Sequence, residues 1–197
     1  GSPKLSLNEI MEGLSLQLIT YLLALSKTKD TKDLLPAAMM YIYLHGRPKS
    51  ISVPPNGIPH AKEKENTNGI FLNDPDVLRT LDSQSGTDDG FIGVSYVKDG
   101  SVKKTSPVLT AEEFEALKAL TEKILIRLYS RLESGEIAIH PVKNGTLSPC
   151  SYCPYRSICR FDTALPENSF DYISKVSDKT IREKLDEEMK RNGKENL

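Results

Sequence analysis

The first apolar positions of the chain recur at helical spacing. Ile10, Leu14, Leu18, Leu22 and Leu25 fall on one stripe, widened by Met11, Ile19 and Leu23, which predicts a helix buried over much of its girth. Ser6-Leu7-Asn8-Glu9 reads as the capping box that opens it, pairing a hydroxyl for an orphan amide with a carboxylate suited to the positive helix end. The stripe fades near Ser26 into a polar loop over 27–33. After Pro36 the period changes. Ala38, Met40, Ile42 and Leu44 share one face, and Ala37, Met39, Tyr41 and Tyr43 the other, so residues 37–44 read as a central strand covered on both sides. Gly46-Arg47-Pro48 ends it, and the stretch 49–68, rich in Pro, Asn and Lys, reads as a long loop.

Asp74-Pro75-Asp76 starts a short helix through Leu81, with Asp74 as N-cap and Pro75 in the first turn. A Ser-, Gly- and Asp-rich loop over 83–90 leads to a strand over 91–97, a turn at Lys98-Asp99-Gly100, and a short returning strand over 101–105. Thr110-Ala111-Glu112-Glu113 is a second capping box. Phe114, Leu117, Leu120, Ile124, Leu128 and Leu132 then give an unbroken face down to Ser134, with Gly135 as the stop. That helix should run roughly 36 Å, enough to span a domain. Residues 141–162 lack periodicity. A last helix over 177–191 carries only Ile181, Leu185 and Met189 on one line and reads as a solvated helix or a tail. There is no internal repeat.

Composition narrows the function classes. In 197 residues, 26 Lys plus Arg face 27 Asp plus Glu, for a net charge of -1. This excludes a polycation that holds nucleic acid by bulk charge, so any such contact comes from a local patch or a partner. No apolar run approaches the ~20 residues of a membrane span, and no signal peptide opens the sequence. The three cysteines are an odd number without a secretory signal, which argues for a reducing, cytoplasmic compartment rather than a disulfide scaffold.

Those cysteines carry the strongest chemical signal. Cys150, Cys153 and Cys159 are spaced C-x2-C-x5-C, a pattern that can bring soft sulfur ligands to one metal. No acid lies between Ile137 and Phe161, while Lys143, Arg156 and Arg160 are positive, and the two arginines are candidates for phosphate contact. Three readings stand: a metal or iron–sulfur site, a redox pair at Cys150 and Cys153, or plain buried thiols. As a metal site the cluster is one ligand short. His140 would complete a Cys3His zinc site in a non-enzymatic module that docks proteins through its last helix; otherwise a fourth Cys comes from outside this sequence. In the first helix, Gln17 and Tyr21 stand one turn apart and would put an amide beside a phenol. Asp74/Asp76 and Asp88/Asp89 read as a helix start and a polar turn. His45, His60 and His140 are scattered, and Lys62, Lys64, Lys103 and Lys104 read as solvated surface.

Taken together these pieces resemble a known family. Gln17-Leu-Ile-Thr-Tyr21 resembles the Q-x-x-x-Y motif of RecB-like nucleases. The order that follows runs through Pro36-Ala-Ala-Met-Met-Tyr-Ile-Tyr, Gly69-Ile-Phe-Leu, Lys98-Asp-Gly-Ser101 and Gly135-Glu-Ile-Ala-Ile-His-Pro141 to the Cys string with Arg160-Phe-Asp162. It is similar to the C-terminal end of the B-type subunit in the bacterial AddAB-type ATP-dependent helicase/deoxyribonucleases. The resemblance implies a mixed α/β, restriction-endonuclease-like domain of the PD-(D/E)xK type. In that family two acids hold Mg²⁺ and a Lys assists the attack on phosphorus. Gln17 and Tyr21 would sit beside that site. Cys150, Cys153 and Cys159 would supply three of the four ligands of a 4Fe–4S cluster, the fourth Cys lying far upstream. Residues 1–146 would then belong to the nuclease domain, 147–165 to the iron–sulfur loop and 166–197 to a charged helical tail. The intact protein would be an ATP-dependent exodeoxyribonuclease that processes double-strand break ends together with the A-type subunit of the helicase–nuclease.

The sequence departs from the family in one respect: neither the Asp strand nor the acid-x-Lys strand precedes Gln17. The expectation is therefore a nuclease fragment, inactive alone, with one cluster ligand missing. Strand 37–44 should expose an apolar edge and invite self-association, as in a swapped dimer.

Overall fold

The computed structural model describes residues 5–42, 67–87, 90–166 and 168–195. Its centre is a three-stranded sheet of β1 (Ala38–Tyr41), β2 (Asn68–Leu72) and β3 (Val108–Leu109), in that order. β1 runs antiparallel to β2 with Met39 opposite Ile70, and β2 runs parallel to β3 with Phe71 opposite Val108. Alternation along the strands sends Met39, Ile70, Leu72 and Leu109 into one apolar cluster and Phe71 and Val108 into another, so the sheet is covered on both faces.

The first cluster is closed by helices. Ile10 comes from α1 (Leu7–Met11) and Ile19 from α2 (Gln17–Ser26). Phe114 and Leu117 come from α4 (Ala111–Glu133), and Ile181 and Leu185 from α6 (Asp178–Glu195). The second cluster packs Leu78 of α3 (Pro75–Leu81) with Ile92 and Val94. Beyond α4 the chain forms β4 (Val142–Lys143), the four-residue α5 (Arg156–Cys159) and β5 (Asp171–Tyr172), with β4 and β5 paired in parallel. No described helix is long and apolar enough to cross a membrane.

Several expectations change. The single N-terminal helix is two, because Gly13 (φ 82°) and Ser15 (φ 51°) take left-handed backbone between α1 and α2. Ser6 occupies the N-cap of α1 without bonding through its side chain, so the first capping box does not form. The Glu9 carboxylate instead accepts from the Ser15 hydroxyl at 2.8 Å. Strand 37–44 sorts Met39 from Ala38 and Met40 as its alternation predicts, yet it is the edge of the described sheet and β2 is the centre. Residues 43–44 and 49–66 lie outside the described residues. The end of the expected loop, Asn68, opens β2. Gly69 lets β1 and β2 meet there: a Cβ on it would lie 2.6 Å from the Met40 Cβ and 2.9 Å from the Met39 carbonyl oxygen.

The hairpin over 91–105 is reduced to one bridge, Tyr96 to Val102. Around it the Val97 amide donates to the Ser101 carbonyl at 2.9 Å and the Lys103 amide to the Ser95 carbonyl at 2.8 Å, while other backbone donors go to side chains. The Asp82 carboxylate takes the amides of Phe91 and Ile92 at 2.7 and 3.2 Å, and the Ser106 hydroxyl takes that of Ser95 at 3.0 Å. α3 and α4 begin as expected: Asp74 caps the amides of Asp76 and Val77, and Thr110 and Glu113 form a reciprocal capping box. The apolar face of α4 is buried only as far as Ile124. Leu128 is 38% exposed and Leu132 76%, so the last turns overhang the core.

The last helix is part of the fold and not a solvated tail. Ile181 and Leu185 are buried against α4. Two almost fully buried carboxylates tie the helices together, Glu113 with Arg182 and Glu188 with Lys123. Arg182 also donates to the Val108 carbonyl at 3.1 Å, fixing α6 to the end of β3.

Candidate functional site

The break before α2 decides where its polar pair stands. α2 starts at Gln17, and its inward residues Ile19 and Leu23 fix the rotation of the helix. Gln17 and Tyr21 therefore face solvent, Tyr21 with 56% of its surface exposed. The two side chains meet: the Gln17 amide Nε2 donates to the Tyr21 Oη at 3.1 Å. This bond uses one donor of Gln17 and one lone pair of Tyr21. It leaves the Gln17 carbonyl oxygen to accept and the Tyr21 proton to donate, a complementary pair for a phosphate oxygen or a metal-bound water.

The cysteine loop is a closed excursion. Its neck is the β4–β5 pair, where Val142 lies opposite Asp171 and Lys143 opposite Tyr172. Phe161 packs edge-on against Phe170 with centroids 4.8 Å apart, and the Lys143 ammonium lies 4.9 Å from the Phe170 ring centre. Within the loop the Ser148 hydroxyl accepts from the Cys150 amide at 3.3 Å and sets a 3-10 turn at Pro149–Ser151. Cys150 and Cys153 are half-buried, Cys159 is exposed, and all three are free thiols. Cys159 ends α5, and Arg160 follows in left-handed backbone at φ 51°, ψ 29°. For a residue other than Gly this conformation costs about 1–2 kcal/mol.

The structure places all three thiols on one loop without gathering them: among the described residues no group of three or more His, Cys, Asp or Glu is set to hold a metal. His140 does not join the thiols; its Nδ1 lies 3.0 Å from the Ser169 hydroxyl. The donor set matches an iron–sulfur cluster in kind, since thiolates are its usual ligands, but three are one short of the usual four. Asp74 is a helix cap, as its position predicts. Asp88, Asp89, His45, His60, Lys62 and Lys64 lie outside the described residues.

Sequence reasoning missed Ser15 and the structural roles of Lys143 and Arg160. Ser15 turns the chain so that α2 begins at Gln17. Lys143 stacks on Phe170 to close the neck. Arg160 reverses the chain after the last cysteine. The alternating aromatics Phe170 and Tyr172 signal the second; the other two are backbone conformations with no compositional mark.

A family model described as the PD-(D/E)XK nuclease superfamily matches residues 1–160. The chain belongs to the PD-(D/E)XK nuclease superfamily. The matched range takes in Gln17, Tyr21 and the three cysteines of this nuclease-family chain and leaves α6 outside.

Several curated relatives are named as the B-type subunit of an ATP-dependent helicase/deoxyribonuclease. That of Clostridium kluyveri (strain NBRC 12016) is 33% identical over 189 residues, 92% of this chain and 16% of that protein. Those of Clostridium acetobutylicum and Bacillus subtilis (strain 168) are 30% and 31% identical over 99% and 93% of this chain, and 17% and 16% of theirs. The nuclease-family chain thus spans about one sixth of the length of these curated relatives.

Proposed function

We propose that this chain forms part of the nuclease domain in the B-type subunit of a helicase–nuclease. The whole protein, with its A-type partner, would act as a cytoplasmic, ATP- and Mg²⁺-dependent exodeoxyribonuclease on duplex ends left by double-strand breaks. The observation that carries this reading is the solvent-facing Gln17–Tyr21 pair, joined at 3.1 Å within the range matched by the nuclease family.

The role of each residue follows from what its atoms have left to offer. The Gln17 carbonyl oxygen orients a water or a metal-bound ligand, and the Tyr21 hydroxyl donates to a phosphate oxygen. When bound, Mg²⁺ lowers the pKa of a water and stabilises charge on the phosphorus oxygens. Cys150, Cys153 and Cys159 would supply three ligands of a 4Fe–4S cluster whose fourth comes from outside this sequence.

The test uses a protein extended upstream to include the family's acid-bearing strands, assembled with the A-type partner and given linear duplex DNA, Mg²⁺ and ATP. Gln17→Ala and Tyr21→Phe should each cut cleavage by about a hundredfold while iron and acid-labile sulfide stay at wild-type levels. The 197-residue chain alone should show no cleavage. Undiminished cleavage in both variants would overturn the roles given to Gln17 and Tyr21. Stoichiometric zinc in this chain, lost on His140→Ala, would overturn the nuclease reading in favour of a zinc-binding module.

We further propose that the isolated chain self-associates through β1, whose outer edge has no strand partner among the described residues. Sedimentation should give a dimer; a monomer across the micromolar range would refute it.

A further inference from the structure

The chain as a whole carries a net charge of -1, yet positive charge collects where α4 and α6 part. A cavity of about 490 Å³ opens there. Its floor is aliphatic, made of Met11 from α1 with Leu120 and Ile124 from α4. Its rim is cationic: Lys123 and Arg127 come from α4, and Lys184 and Arg191 from α6. The carboxylates among the lining residues are Glu187 and Glu188, so the cations outnumber the acids. Glu188 is buried and already committed, to Lys123 and, at 3.6 Å, to Arg191. Arg127 and Lys184 are exposed, and neither has an ion-pair partner among the described residues.

An aliphatic floor under a cationic rim selects a ligand that carries an apolar group between negative charges. From Lys184 to Arg191 the rim runs roughly 10 Å along α6, too far for one carboxylate or phosphate to meet both ends. A chain with charges at intervals can reach them. No aromatic ring lines the cavity, so the bases of a nucleic acid find nothing there to stack on. We infer that this cleft docks an acidic peptide segment of a partner protein. One apolar side chain of the segment sits on Met11, Leu120 and Ile124, and its Asp or Glu carboxylates pair with Arg127 and Lys184. Half of the site comes from α6, outside the residues matched by the nuclease family, so the inference goes beyond the nuclease reading and does not rest on it.

Fluorescence anisotropy on the full chain tests this, with a labelled peptide of about ten residues in which one Leu is flanked by Asp on both sides. The peptide should bind, and more weakly as salt is raised. A peptide with Asn in place of Asp, and one with Ala in place of Leu, should each bind roughly tenfold more weakly or worse. Arg127→Ala/Lys184→Ala should weaken the acidic peptide by roughly tenfold while keeping the wild-type urea midpoint, since both side chains are exposed. If that double variant loses its urea transition, Lys184→Gln alone carries the test, with a loss of about threefold. No binding of the acidic peptide, equal binding of the Asn peptide, or a folded variant that binds like wild type would each overturn the inference. Displacement of the peptide by a thymidine oligonucleotide that itself no longer binds the double variant would overturn it in favour of nucleic acid.

Discussion

Asp99 shows how a single side chain shapes a turn. Its carboxylate accepts from the Ser101 hydroxyl at 2.7 Å and from the Ser101 amide at 2.9 Å. These bonds, the hydroxyl first and the amide second, hold its pKa below the ordinary 3.8. They favour the ionised form, so the stabilisation is complete above the ordinary value and is lost as pH falls through the lower folded value. An NMR titration should place the Asp99 midpoint below 3.8, and Ser101→Ala should raise it. An identical midpoint in both proteins would show that Ser101 does not set it. Residues whose work is local in this way were legible. Asp74, Thr110 and Glu113 cap where their spacing places them. Ser6 and Glu9 have the same spacing and fail, because the chain turns at Gly13 and Ser15 and Ser15 takes the Glu9 carboxylate. Gln17 and Tyr21 were readable for the same reason, since i and i+4 on a helix meet whatever the rest of the fold does.

At the scale of elements, charge concealed what packs. The last helix is charged on most of its faces and reads as solvated, yet Glu188 is 1% exposed and Leu185 fully buried. The burial succeeds because each acid meets a cation from the other helix, Glu188 with Lys123 and Glu113 with Arg182, and such pairing is invisible along one sequence. Leu185→Ala should therefore cost about 2–5 kcal/mol in urea unfolding, the range for a buried leucine, where a tail residue would cost next to nothing. A loss under about 0.5 kcal/mol would return α6 to the status of a tail. The strands were harder to read. β2 and β3 are short apolar runs whose pairing depends on distant partners, and β2 is recognisable as central only once Gly69 is seen to admit Met40. In α4 the apolar stripe continued past the point where any described residue covers it, so Leu128 and Leu132 read as core and stand exposed.

For the whole molecule, the mixed α/β nuclease fold was legible because an ordered set of motifs survived at about 30% identity to its helicase/deoxyribonuclease relatives. The geometry of the candidate site was legible in parts. Gln17 and Tyr21 do meet, and the three cysteines do share a loop. Among the described residues no cluster of metal-binding side chains joins these parts. The neck of the cysteine loop has one more consequence. Neither apolar cluster draws a residue from between Leu120 and Val176, so the segment carrying the thiols, Tyr152, Tyr155 and Arg160 is anchored at its base and contributes almost nothing to the core. Selection on that segment is thereby uncoupled from selection for folding. Its residues are free to diverge, or the whole loop to be exchanged between relatives, without drawing on the stability of the domain that bears it.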